Sequence, residues 1–169
     1  MNNKGFTLME VLVYVAVLTI IILAVSSFFL WAIRSNTKTK ALRETLDNTR
    51  RVMEIMTYEI KEAKSIYTPT TTSTQLSLET THYSPEGEKT SYIDFYLCDT
   101  QLCLKKESQD PITLTSDSVE INNLLFRRIV SGESPSIQID LTINYKNPQG
   151  RPEYQASVNL VSTVALRLY

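Results

Sequence analysis

From Val11 to Ile33 the chain runs for 23 residues without a charge, a glycine or a proline. A helix of that length reaches about 34 Å, enough to cross a hydrocarbon layer of about 30 Å. Inside a helix every backbone polar group in lipid is satisfied. Beyond this run the pattern changes. Leu42, Leu46, Thr49, Met53, Met56, Ile60, Ala63 and Tyr67 recur in alternating steps of four and three, and Val52, Ile55 and Ile66 widen the row. That is the stripe of an amphipathic helix. The rest of its surface carries Arg43, Glu44, Asp47, Arg50, Arg51, Glu54, Glu59, Lys61 and Glu62. No glycine or proline falls between Phe6 and Thr68. The pattern therefore predicts one continuous helix of about 60 residues, with a transmembrane half over 6–33 and an amphipathic half over 34–67. A coiled-coil dimer is the competing reading of the stripe. The stripe covers less than four heptads and is followed by strands that need a cover, which favours packing within the chain.

Pro69 ends the helical pattern, and Thr68 to Thr74 reads as a Thr-rich linker. It is read as a bare loop ahead of an O-glycan acceptor. From 75 to 169 the periodicity is two. Ile93, Phe95 and Leu97 alternate with polar or amphipathic neighbours, and Ile137, Ile139, Leu141, Ile143 and Tyr145 form the clearest strand. Tyr154, Ala156, Val158, Leu160, Val164, Leu166 and Leu168 share a parity, and Asn147-Pro148-Gln149-Gly150 has the chemistry of a turn joining the two strands as a hairpin. Val119 to Val130 and Gln75 to Glu79 are further strands. One-sided alternation predicts an antiparallel sheet with one wet face, its other face covered by the helix stripe. The fold class is α+β, a long N-terminal helix packed on an antiparallel sheet domain.

Charge sharpens the split. Residues 6 to 33 hold a single charged side chain, Glu10, and the other 141 residues hold 34 of the 35 charges. The near-neutral net charge of −1 gives no reason to expect a nucleic-acid partner, and Arg127-Arg128 and Arg50-Arg51 are isolated dipeptides. An intramembrane carboxylate costs about 2.5–3.5 kcal/mol and is by default a functional group. Glu10 can snorkel to the interface, or it can pair with a positive α-amine, its own or a neighbouring subunit's.

The residues around Glu10 narrow the choice. Lys4-Gly5-Phe6-Thr7-Leu8-Met9-Glu10 followed by a long apolar run resembles the N-terminus of the type IV pilin and pseudopilin family. The resemblance implies a leader over 1–5, cleavage by a prepilin peptidase between Gly5 and Phe6, N-methylation of Phe6, and an assembly role for Glu10. Removal of the leader takes Lys4 with it and leaves a net charge of −2. Many pilins carry a proline about 22 residues into the mature chain, where this one has Ser27. An ordinary secretory signal peptide, with Ala24-Val25-Ser26 as a weak cleavage site, and a plain signal anchor are the other readings of this segment. The strand order and the ending Ser162-Thr163-Val164-Ala165-Leu166-Arg167 are similar to J-type minor pseudopilins and related minor pilins. The retained Glu10 is unlike the K-type pseudopilin. The implied partners are other pilins or pseudopilins, the prepilin peptidase, an assembly ATPase and platform protein, and membrane lipid. The implied location is the cell membrane, single-pass, with the C-terminal domain extracytoplasmic. Arg34, Lys38, Lys40 and Arg43 follow the span while only Lys4 precedes it, so charge counting alone would orient the chain the other way.

Cys98 and Cys103 lie in Cys-Asp-Thr-Gln-Leu-Cys. With Asp99 to Leu102 as a hairpin loop they would face each other at disulfide distance, whereas a two-residue turn at Asp99-Thr100 would misalign them. Bridge and free thiols both stand, the bridge being favoured outside the cytoplasm. No metal site and no cofactor is expected. His82 reads as a solvated loop residue. The chain has no P-loop, dinucleotide fingerprint, Gly-x-Ser-x-Gly or Cys/His nucleophile pairing, and is not expected to be an enzyme. The rival to a filament subunit is a single-pass membrane-anchored binding module, adhesin- or receptor-like, that does not polymerise.

Overall fold

The computed structural model describes residues 7–84, 86–131 and 134–167. Helix α1 runs from Leu8 to Glu62, 55 residues and about 82 Å. Its two halves meet different surroundings. The large apolar side chains from Leu8 to Ile33 are all exposed. From Ala41 onward one face is buried, through Thr45, Asn48, Thr49, Val52, Met53, Met56, Glu59 and Ile60.

Two features of that face differ from the stripe read in the sequence. Its upper part is small and polar rather than leucine-rich, and Leu42 is 48% exposed. The buried hydroxyls of Thr45 and Thr49 donate back to the carbonyls of Ala41 and Thr45, at 2.9 and 2.7 Å, so their burial leaves no orphan. The side chain of Asn48 accepts from the backbone N–H of Ser116 at 2.9 Å and ties the helix to a segment 68 residues further along the chain. Glu59, expected on the charged surface, is 5% exposed.

The helix also stops at Glu62, five residues short of Tyr67. Ala63 already has extended backbone (φ −69°, ψ 138°), and Ser65–Ile66 forms strand β1 against β2 (Leu76–Thr80). The backbone N–H groups of Lys64 and Tyr67 donate to the carbonyls of Glu79 and Ser77 at 2.8 and 2.9 Å. A paired strand edge outcompetes the helical stripe where β-branched and aromatic residues weaken helix propensity. The Thr-rich segment that follows is hydrogen-bonded into the body. Thr71 Oγ1 donates to the Tyr67 carbonyl at 2.8 Å, and the Ser73 carbonyl accepts from the Phe126 N–H at 2.8 Å.

The body contains two antiparallel sheets rather than one. The first has the order β1-β2-β3-β4-β5, with β3 at Ser91–Cys98, β4 at Gln101–Lys106 and β5 at Ile112–Thr113. The second has the order β6-β7-β8, with β6 at Val119–Ser131, β7 at Ser134–Tyr145 and β8 at Ser157–Ala165. Each sheet turns its apolar parity inward. Leu76, Leu78, Ile93, Phe95 and Leu102 join Ile137, Ile139, Leu141 and Ile143 and the helix residues Val52, Met56 and Ile60 in one core. In β6 a bulge between Ile121 and Asn123 explains why burial shifts from odd positions, Val119 and Ile121, to even ones, Leu124 and Phe126. The β7–β8 connection is longer than a tight hairpin. Gly150 does sit in a turn at φ +64°, but Tyr154 belongs to a 3-10 turn at Pro152–Tyr154 rather than to the strand. Its ring stacks on Tyr145 at 5.8 Å.

Candidate functional site

The site begins at the first turn of α1. Thr7 is the N-cap, in extended conformation, and its hydroxyl accepts from the Glu10 N–H at 3.3 Å. Thr7-x-x-Glu10 is the spacing of a capping box, a signal the sequence carries within the pilin-like motif. The Glu10 side chain does not complete the box. Its Oε1 accepts from the Tyr14 hydroxyl one turn on, at 3.2 Å. Glu10 therefore stands exposed on the helix surface, near the positive end of the helix dipole. A neutral hydroxyl leaves its charge uncancelled, and no cation among the described residues pairs with it. Gly5 and Phe6, the expected cleavage and methylation positions, lie outside the described residues, as does the leader.

The rest of the apolar half is built for lipid. Thr19 and Ser27 return their hydroxyls to the carbonyls of Val15 and Leu23, at 2.8 and 2.9 Å. Ser27, at the position where many pilins have proline, thus sits inside an unbroken helix.

At the far end of α1 the chain terminus closes on the helix. The Arg167 N–H donates to the Lys61 carbonyl at 3.4 Å, and its guanidinium meets Glu62 at 3.0 Å. Leu166 and Val164 are buried beside it. A cation at a helix C-terminus complements its dipole. The Thr-Val-x-Leu-Arg ending thus has a structural task here, docking the last strand to the helix.

Two carboxylates of the body have opposite environments. Burial raises the pKa of Glu59, against the pull of the Tyr83 hydroxyl, Lys106 and His82. Its Oε1 accepts from Tyr83 at 3.2 Å while Oε2 has no hydrogen-bond partner among the described residues. Tyr83 has left-handed backbone (φ 64°), and the Lys106 ammonium lies 3.5 Å from its ring centroid. The signal for Glu59 in the sequence was its place in the row Met56, Glu59/Ile60, Ala63. Glu79 is the reverse case: hydrogen bonds from Lys64 and Ser65, at 2.9 and 2.8 Å, hold its pKa below the usual value. His82 is exposed in the β2–β3 connection.

Cys98 and Cys103 are joined by a disulfide, with Cα atoms 5.9 Å apart. The hairpin that carries them corrects the expected loop. The turn is the two-residue one at Asp99-Thr100, Cys98 faces Gln101, and Cys103 faces Tyr96. The sulfurs bond diagonally on one face of the twisted ribbon, where side chains two residues apart remain within reach. Asp99 takes φ 57°, which Asp tolerates in turns. Among the described residues no group of three His, Cys, Asp or Glu side chains is placed to hold a metal.

Comparison with known proteins adds one finding at the N-terminus. Residues 1–26 match the family described as the prokaryotic N-terminal methylation motif. This supports a type IV pilin-like protein, a processed subunit whose motif implies cleavage by a prepilin peptidase, assembly with other pilins and anchoring in a membrane. The long helix on antiparallel sheets is a pilin-like α+β arrangement. Neither the search of curated proteins nor that of solved structures found a match.

Proposed function

We propose that the chain is a minor pseudopilin or minor pilin, a structural subunit and not an enzyme. Prepilin peptidase would cut between Gly5 and Phe6 and methylate Phe6. The processed subunit would wait in the cell membrane with its body outside the cytoplasm. A platform protein and assembly ATPase would then draw it into a type II secretion pseudopilus or a type IV pilus. The observation that carries this reading is Glu10. It is the one charge in the apolar half of α1, it is exposed on the surface that would pack against other subunits, and among the described residues it has a hydrogen bond from Tyr14 but no cation to match its charge. The free amine of a neighbouring subunit would match it and fix one axial register. The disulfide supports the extracytoplasmic placement of the body.

Two substitutions test the reading in cells that make the filament. Glu10→Leu is expected to leave membrane insertion intact and to remove the subunit from sheared filaments. Normal incorporation of that variant would overturn the pairing of Glu10 with a neighbouring amine, whereas absence of the wild-type chain from sheared filaments would favour the membrane-anchored binding module. Gly5→Glu is expected to retain the leader, read as intact N-terminal mass. A mature Phe6 N-terminus in that variant would overturn the reading of Gly5 as the residue the peptidase requires.

A further inference from the structure

The cations that follow the membrane span take no part in the filament reading, and they oppose the orientation it requires. The placement of two of them, Arg34 and Lys38, gives those two a task. Trp31, Arg34, Ser35 and Lys38 have the spacing i, i+3, i+4, i+7 and share one face of α1. Pro152 and Glu153 of the 3-10 turn approach that face, and together the six residues line a groove of about 530 Å³. No direct ion pair links Arg34, Lys38 and Glu153 among the described residues, so both signs of charge are open to a guest.

The groove sits at a defined depth. Arg34 is the first charge after the apolar run ends at Ile33. The rise from Arg34 to Lys38 is about 6 Å, against about 5–7 Å for one headgroup layer of a bilayer. Trp31 lies about 4.5 Å below Arg34, where interfacial tryptophans concentrate. The turn that closes the groove is preset. The Asn147 side chain donates to the Arg151 carbonyl at 2.8 Å and accepts from the Arg151 N–H at 2.9 Å, and Tyr154 is stacked on Tyr145.

We propose that this groove binds the headgroup of a phospholipid that carries both a phosphate and a primary amine, of the ethanolamine type. Arg34 and Lys38 take the phosphate, Glu153 accepts from the ammonium, and Trp31 rests on the glycerol and upper acyl chain. A purely anionic headgroup would leave Glu153 facing a negative guest. A choline headgroup offers no N–H to it. The site gives two of the four cations beyond the span, Arg34 and Lys38, a reason to lie on the side of the body. It rests on the membrane-inserted part of the function proposed above and not on polymerisation.

The test uses the full-length protein in nanodiscs made from equal parts of phosphatidylethanolamine, phosphatidylglycerol and phosphatidylcholine, with retained lipid read by native mass spectrometry. Phosphatidylethanolamine is expected to be retained several-fold above its share. Lys38→Gln should abolish that enrichment, and Glu153→Gln should reduce phosphatidylethanolamine to the level of phosphatidylglycerol. Excess soluble phosphate should leave retention unchanged. Equal retention of the three lipids, or enrichment indifferent to both substitutions, overturns the proposal. Enrichment of phosphatidylglycerol alone overturns it too, in favour of a plain cationic surface. Protein that elutes without a disc would instead overturn membrane insertion itself, and the Glu10→Leu filament assay reads polymerisation separately.

Discussion

The two halves of α1 are made of one unbroken helix and obey different rules. Between Leu8 and Ile33 the large apolar residues surround the axis and every one of them is exposed. Between Ala41 and Ile60 a single face is buried and the rest is charged. In the first half the solvent selects composition. In the second half a particular surface selects position. The contrast extends to the acids. Glu10 and Glu59 both take a hydrogen bond from a tyrosine, at 3.2 Å in each case. Glu59 also has Lys106 and His82 of its own chain near it, whereas Glu10 has no described cation. One is a charge the fold has accommodated; the other is a charge that no described residue of the chain balances.

The largest expected effect breaks the contrast at the level of packing. Met56 is fully buried in the core under the helix, so Met56→Ala should destabilise the body by about 2–5 kcal/mol. Leu18→Ala, at an exposed position of the apolar half, should leave the body's stability unchanged. Chemical denaturation of the full chain in detergent, followed by near-UV circular dichroism, reads both. Equal losses would show that the halves are one cooperative unit.

Sequence patterns captured the first half almost completely, because lipid demands only length and apolarity, and both are visible in Val11 to Ile33. The pilin-like motif was legible for the same reason, since a peptidase reads a linear string. The second half was legible in its core, Val52 to Ile60, and misread at its ends. Thr45 and Asn48 are buried because their polar groups bond to the helix itself and to Ser116, and hydrophobic periodicity does not register such satisfaction. The stop at Glu62 depends on pairing with β2, a contact with Glu79 that no local pattern encodes. The disulfide turn was misjudged because sequence parity places Cys98 and Cys103 on a face without showing the twist that brings diagonal neighbours together. The headgroup-depth groove was half visible as a run of cations. Its other wall, Pro152–Glu153, arrives from more than a hundred residues away.

A smaller effect sharpens the comparison of the acids. The native pKa of Glu59 is raised by burial, so between the unfolded and native values the folded state binds more protons than the unfolded state. Its contribution to stability is therefore fully present below the ordinary glutamate range and is lost as pH rises through the native value. Glu79, whose pKa is lowered by Lys64 and Ser65, works in the opposite sense, and its contribution is lost as pH falls. Glu59→Gln should raise stability at neutral pH and remove the decline above the glutamate range. Glu79→Gln should lower stability at neutral pH and flatten the acid limb. Denaturation midpoints measured from pH 4 to pH 8 separate the two. A Glu59→Gln profile that keeps the wild-type decline would mean that its carboxylate is matched as well as that of Glu79.

The smallest effect concerns the far end of the buried half. Arg167 reaches Glu62 at 3.0 Å from a side chain that is 60% exposed, and exposed pairs contribute about 0–1 kcal/mol. The backbone bond from Arg167 to Lys61 and the burial of Leu166 survive in Arg167→Ala, so that variant should lose no more than about 1 kcal/mol. Leu166→Ala, which empties a buried position in the same ending, should lose more, about 2–5 kcal/mol. The ranking decides what holds the C-terminus against the helix. If Arg167→Ala proves the more damaging, the guanidinium is closing the last turn of α1 electrostatically, and the buried half depends at its end on charge rather than on packing.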